Sequence, residues 1–119
     1  MAKVFVHLVS GPEHPTRATL ALLVARTAAD EGHEVQLFLA GDAVQLVRPE
    51  TAAAVHGVGT GSFAELWDAL AASGVPIYLS GMSSKARGIE ASVRPGQVEV
   101  STPHKLVELA AWADTVLTY

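Results

Sequence analysis

The chain contains no cysteine, and that absence excludes more chemistry than any residue present suggests. Disulfides, thiolate-ligated zinc and iron–sulfur centres all need the missing side chain. So does any reaction in which the protein itself carries sulfane sulfur, because the attacking group is a thiolate and a serine hydroxyl cannot replace it. Positive charge is also scarce. Eight Lys and Arg face twelve Asp and Glu, for a net charge of −4. The cations are dispersed, whereas binding nucleic acid through its phosphates requires them clustered, so no nucleic-acid partner is expected. No apolar run approaches the ~20 residues of a membrane-spanning helix. The amino terminus, Met1-Ala2-Lys3-Val4-Phe5, enters a strand directly and lacks the tripartite pattern of a secretory signal. The expectation is a cytoplasmic protein without a membrane span.

What is present is apolar. Half of the 119 residues are hydrophobic and only 17% are charged, which is far from the composition of a disordered chain. The length suits one domain, 1–119, with room for a real core. Low charge on so apolar a chain also points to surface covered by a second subunit, hence a homo-oligomer.

Strand and helix patterns alternate along the chain. Lys3 to Val9 is almost continuously apolar, broken by His7, as in a strand buried on both faces. Ser10 to Pro15 is a turn cluster, and Thr16 to Glu31 reads as a helix stopped by Gly32. Glu34 to Ala40 is the second strand, and Ala43 to Val47 a short helix ended by Arg48-Pro49. Glu50 to Gly61 resists assignment, and its Gly57-Val58-Gly59-Thr60-Gly61 run suggests a mobile connection. Ser62 and Glu65 have capping-box spacing for a helix reaching Ser73, with Phe63, Leu66, Trp67 and Leu70 as its apolar stripe. Val75 to Leu79 is the third strand and Gln97 to Ser101 the fourth, with a turn or short helix between them through Gly88. Thr102 is placed to cap a helix with Pro103 at its first position and Leu106, Leu109, Ala110 and Ala113 inward. Thr115 to Tyr119 is the fifth strand. This order predicts an α/β fold, a mostly parallel five-stranded sheet flanked by helices on both faces.

In such sheets ligands gather at the carboxyl ends of the strands. Three ends are alike here, Ser10-Gly11, Ala40-Gly41 and Ser80-Gly81. Small residues let a backbone approach a ligand or a neighbouring loop closely. They serve equally to turn the chain out of the sheet, and both readings stay open.

The run Val75-Pro76-Ile77-Tyr78-Leu79-Ser80-Gly81-Met82-Ser83-Ser84-Lys85-Ala86-Arg87-Gly88-Ile89 carries a resemblance. An apolar strand enters small residues and then a turn of Ala-Arg-Gly-Ile type, as in the DsrE/DsrF-like family. The Ser-Gly exit of the first strand, Glu31-Gly32-His33-Glu34-Val35, Phe38-Leu39-Ala40-Gly41-Asp42 and Ala113-Asp114-Thr115-Val116-Leu117 resemble further parts of that pattern in the same order. The resemblance implies a parallel-rich sheet flanked by helices, and assembly into dimers, trimers or hexamers. It also implies that the sulfur-carrying cysteine of many members falls at Ser80, with Ser83 where some have a second. Both are serine here, so sulfur transfer is not expected while the fold is. A related sulfur-relay subunit becomes a candidate partner.

The remaining candidates each have a plainer reading. Ser80 as a nucleophile lacks a Gly-x-Ser-x-Gly frame, and capping a backbone group is the plainer role. Arg87 with Lys85 nearby could clamp an anion, or Arg87 could tie down its own loop. His14 beside Glu13 could meet Ser80 across the strand ends, or be an ordinary loop pair. His7 mid-strand reads as a hydrogen-bonded core histidine. The five histidines show no metal-ligand spacing, and no cofactor motif is recognisable; the glycine run at 57–61 fits neither a dinucleotide fingerprint nor a P-loop. The candidate ligand-binding set is therefore Ser10, Gly11, His14, Gly41, Ser80, Gly81, Met82, Ser83 and Arg87, without a catalytic residue. Three functions follow: a non-catalytic oligomeric module binding a small molecule or a protein, an enzyme using His14, Glu13 and Arg87 on a small anionic substrate, and a structural partner subunit of a cysteine-bearing sulfur-relay protein.

Overall fold

The computed structural model describes residues 1–119. Five strands form one parallel sheet: β1 (Lys3–Leu8), β2 (Glu34–Leu39), β5 (Ile77–Ser80), β6 (Glu99–Ser101) and β7 (Thr115–Thr118). Their spatial order is β6-β5-β2-β1-β7, so the chain walks from β1 outward to β6 and then returns to the far side of β1. Every adjacent pair is parallel. Parallel neighbours need crossovers, and right-handed crossovers travelling in opposite directions lie on opposite faces of a sheet. That rule separates α1 (Pro15–Asp30) and α3 (Phe63–Ala72) from α5 (Pro103–Trp112), the helix of the return crossover.

One face of the sheet packs Val4, Val6, Leu8, Leu37, Leu39 and Leu79 against Leu22 of α1 and Phe63, Trp67 and Leu70 of α3. The Ser62 hydroxyl accepts from the Glu65 amide at 3.4 Å, starting α3 as its spacing predicts. Trp67 is fully buried, donates its indole N–H to Gln97 at 2.9 Å and lies beneath the Arg94 guanidinium, 5.2 Å from the ring. The opposite face has a much smaller cluster, Phe5 and Phe38 against Leu109 of α5, with Leu106, Trp112 and Ala113 partly buried around it.

Four local expectations change. The 41–47 segment is a 3-10 helix, Gly41–Val47, followed by α2 (Pro49–Ala54). The glycine run is a closed hairpin rather than a mobile connection: β3 (His56–Gly57) pairs antiparallel with β4 (Gly61–Ser62), and the Val58 amide donates to Thr16 Oγ1 at 3.0 Å. Ala110 faces solvent, because a single helix lying over a sheet buries only a narrow stripe. Thr102 stands at the N-cap of α5, yet its hydroxyl makes no capping bond. No helix is long and apolar enough to cross a membrane.

Candidate functional site

The three small-residue strand exits meet at one end of the sheet. Backbone demands explain their glycines. A Cβ on Gly11 would stand 2.3 Å from the Asp42 carbonyl oxygen, so the loop after β1 rests directly on the loop after β2. Gly41 has φ +58°, and a Cβ there would lie 3.3 Å from Val9 Cγ1. The third exit leads into α4 (Gly81–Arg87), for which Ser80 is the N-cap.

Hydrogen bonds stitch these exits together. Ser80 Oγ accepts from the Ser83 amide at 3.2 Å, and Ser83 Oγ accepts from the Gly41 amide at 2.9 Å. Arg87 donates through Nε to Asp42 at 3.1 Å and through its terminal nitrogen to the Ser83 carbonyl at 3.2 Å. The guanidinium thus ties α4 to the start of the 3-10 helix, and its charge is matched by Asp42 across a partly exposed ion pair. Ser10 is buried beside this junction, whereas Met82 is 73% exposed.

His14 stands elsewhere. It occupies the N-cap of α1 without making a side-chain capping bond. It shares a cleft with Glu13, Arg17 and Tyr119, and that cleft includes none of Ser80, Ser83 or Arg87. Glu13 itself accepts from the Gly11 amide at 2.9 Å. The structure therefore unites Ser80, Ser83, Gly41 and Arg87, and leaves His14 and Glu13 apart from them.

His7 departs from the core reading. It lies on the α5 face of β1, stacked on Phe5 at 6.0 Å and edge-on to Phe38 at 6.3 Å. Its Nε2 is enclosed without a hydrogen-bond partner. Burial in this aromatic setting disfavours the imidazolium and holds its pKa below the usual 6.5. Val9 and Val116 are exposed hydrophobics, and Val116 shares the His7 face by strand register. The α5 face is thus covered only in part, with Val116 left exposed at its β7 edge.

Two groups escaped the sequence reading. Asp42, the partner of Arg87, is separated from it by 45 positions, and no local pattern links them. Ser84 is buried with its hydroxyl unpartnered; a small residue four places from Ser80 in a helical turn was the sole hint.

With this geometry in place, comparison with known proteins becomes informative. The crystal structure of the ychN protein from E. coli superposes with a TM-score of 0.81 at 24% identity, each chain covered completely. A protein of unknown function from Methanobacterium thermoautotrophicum, MTH1491, superposes at 0.69 with 17% identity, again over the whole of both chains. These identities show a shared fold alone. No curated protein matches the sequence. The sequence pattern of one family matches residues 3–119, and with cysteine absent from every position, the chain belongs to the DsrE/DsrF-like family as a member without a thiol.

Proposed function

We propose that this protein is a non-catalytic member of its family, a homo-oligomer that binds a small molecule or a protein partner around the strand-end junction of Ser10, Gly11, Gly41 and Ser80–Ser83. One observation carries the reading. At the position where the family resemblance puts a sulfur-carrying cysteine, the Ser80 hydroxyl is used to cap α4, and the surrounding polar groups bond one another. A hydroxyl that makes this cap and hydrogen-bonds no basic side chain lacks the activation that a nucleophilic serine needs, while a fixed ring of small residues and amides is a rigid surface for recognition.

The half-open sheet face supports the oligomer. Val116 is 45% exposed on an edge strand, in a parallel sheet whose faces are ordinarily covered. The enzyme reading with His14, Glu13 and Arg87 loses support because Arg87 is engaged with Asp42 and Ser83, outside the cleft that His14 and Glu13 share. A related cysteine-bearing subunit covering the open face is the alternative to self-assembly.

Native mass spectrometry of the freshly purified protein tests this. A dimer, trimer or hexamer is expected, and a bare monomer overturns the homo-oligomer. The variant Ser80→Cys, treated with a persulfide donor, tests the lost-nucleophile assignment separately. Sulfur loading on Cys would mean that serine alone stopped the family chemistry; failure to load would show that the pocket has diverged as well.

A further inference from the structure

We propose that the cleft between α4 and the edge strand β6 binds a small zwitterion, an α-amino acid with a short apolar side chain. The site opens on a different side of α4 from the junction discussed above, with Gly81 common to both, because α4 presents two different stripes. Ser83 and Arg87 turn toward the 3-10 helix. Gly81, Ser84, Lys85 and Gly88 recur at helical spacing and line a cleft of about 460 Å3 closed by Ile89, Glu90 and Val100. That volume is in the range of small-molecule sites.

The first observation is an orphaned hydroxyl. Ser84 is only 4% exposed, and its Oγ has no partner. A serine inside a helix commonly bonds the carbonyl four residues back, and Ser84 does not. A buried polar group left unpaired is costly to the folded state, and a ligand atom entering this cleft, met by a turn of the serine rotamer, removes that cost.

The second observation is independent of the first. Lys85 and Glu90 line the same cleft, and neither takes part in any of the ion pairs of the structure, with each other or with a third residue. Glu90 accepts only a hydrogen bond from Ser92 at 3.3 Å. A simple anion would gain Lys85 and meet repulsion from Glu90; a simple cation would meet the reverse. A molecule carrying both charges uses both groups, its carboxylate toward Lys85 and its ammonium toward Glu90. Ile89, buried, and Val100, 51% exposed, form the apolar wall for its side chain. Gly81 keeps the cleft narrow at its base: a Cβ there would come within 3.2 Å of Val100 Cγ1 and 3.3 Å of the Ser101 carbonyl.

Isothermal titration of the full chain with L-leucine, 4-methylpentanoate and 3-methylbutylamine tests the assignment, the last two each lacking one charge. Saturable leucine binding is expected, with each single-charge analogue weaker by about tenfold or more. Lys85→Met and Glu90→Gln alter exposed side chains that hold no structural ion pair, so both should fold. Each should weaken leucine by a similar factor, with subunit count in native mass spectrometry unchanged. Absence of saturation below about 10 mM, a range of only a few kcal/mol of binding, overturns the proposal. So does 4-methylpentanoate binding as well as leucine, which would make this a plain anion site. Wild-type leucine affinity in both variants would place the binding elsewhere and overturn it equally.

Discussion

The two faces of the sheet are made on different terms. The face under α1 and α3 holds a cluster of 23 buried residues, including the largest fully buried side chain, Trp67. The face under α5 holds three. Both are cut from the same strands, whose alternate residues point to opposite sides. The difference comes from the connections: three crossovers travel outward over one face, and only one ten-residue helix returns over the other. Folding free energy is therefore concentrated on one side, and the other side is left with apolar area that a second surface can cover. A sheet finished on one face and half finished on the other still has something to gain from contact.

The sharpest way to break this comparison is to cut into each face in turn. Trp67→Ala removes the keystone of the thick face and its bond to Gln97, and should cost ~3–5 kcal/mol in denaturant unfolding. A loss below about 1 kcal/mol would mean that the 23-residue cluster is not where stability resides.

The next effect belongs to association rather than folding. Val116→Lys puts a charge on the open face and should leave monomer stability within about 0.5 kcal/mol, while shifting native mass spectra toward single chains. Val58→Lys, at a still more exposed valine on the hairpin, is the control and should leave the subunit count unchanged. If both variants assemble alike, copies do not meet on this face.

The smallest effect is a pH dependence. His7 titrates near 6.5 when unfolded and lower when folded. Between those values the unfolded chain binds more protons, so stability rises with pH across that window and levels off above about 6.5. As pH falls through the same window the contribution is lost. His7→Phe should flatten this part of the curve, and identical pH profiles for wild type and variant would show that His7 is not enclosed as described.

Much of this architecture was legible in the sequence. Strands buried on both faces write continuous apolar runs, so Lys3 to Val9 and Glu34 to Ala40 announced themselves, and the Ser62/Glu65 spacing marked the start of α3. The parallel order then implied that the exits at Ser10, Gly41 and Ser80 would share one end of the sheet, and they do. The hairpin at 56–62 was not legible, because two-residue strands have no period to detect and a glycine run reads as looseness. The solvent exposure of Ala110 was hidden for a different reason. Alanine is indifferent to burial, so the direction of α5 rests on the tilt of one helix over a thin cluster. At the candidate site, the ties of Arg87 to Asp42 and of Ser83 to Gly41 join residues more than forty positions apart. Such pairings are products of tertiary approach and leave no mark in either segment alone.

The separation of the two faces extends to the two tryptophans of the chain. Trp67 is sealed beneath α3 and hydrogen-bonded, while Trp112 sits half-buried at the end of α5 on the thin side. Their indoles therefore experience different polarity and different access to quenchers. Fluorescence of single-tryptophan variants becomes an optical readout for each side separately: Trp67 emission, blue-shifted and shielded from iodide, follows global unfolding, and Trp112 emission follows whatever comes to rest against the sparsely covered face.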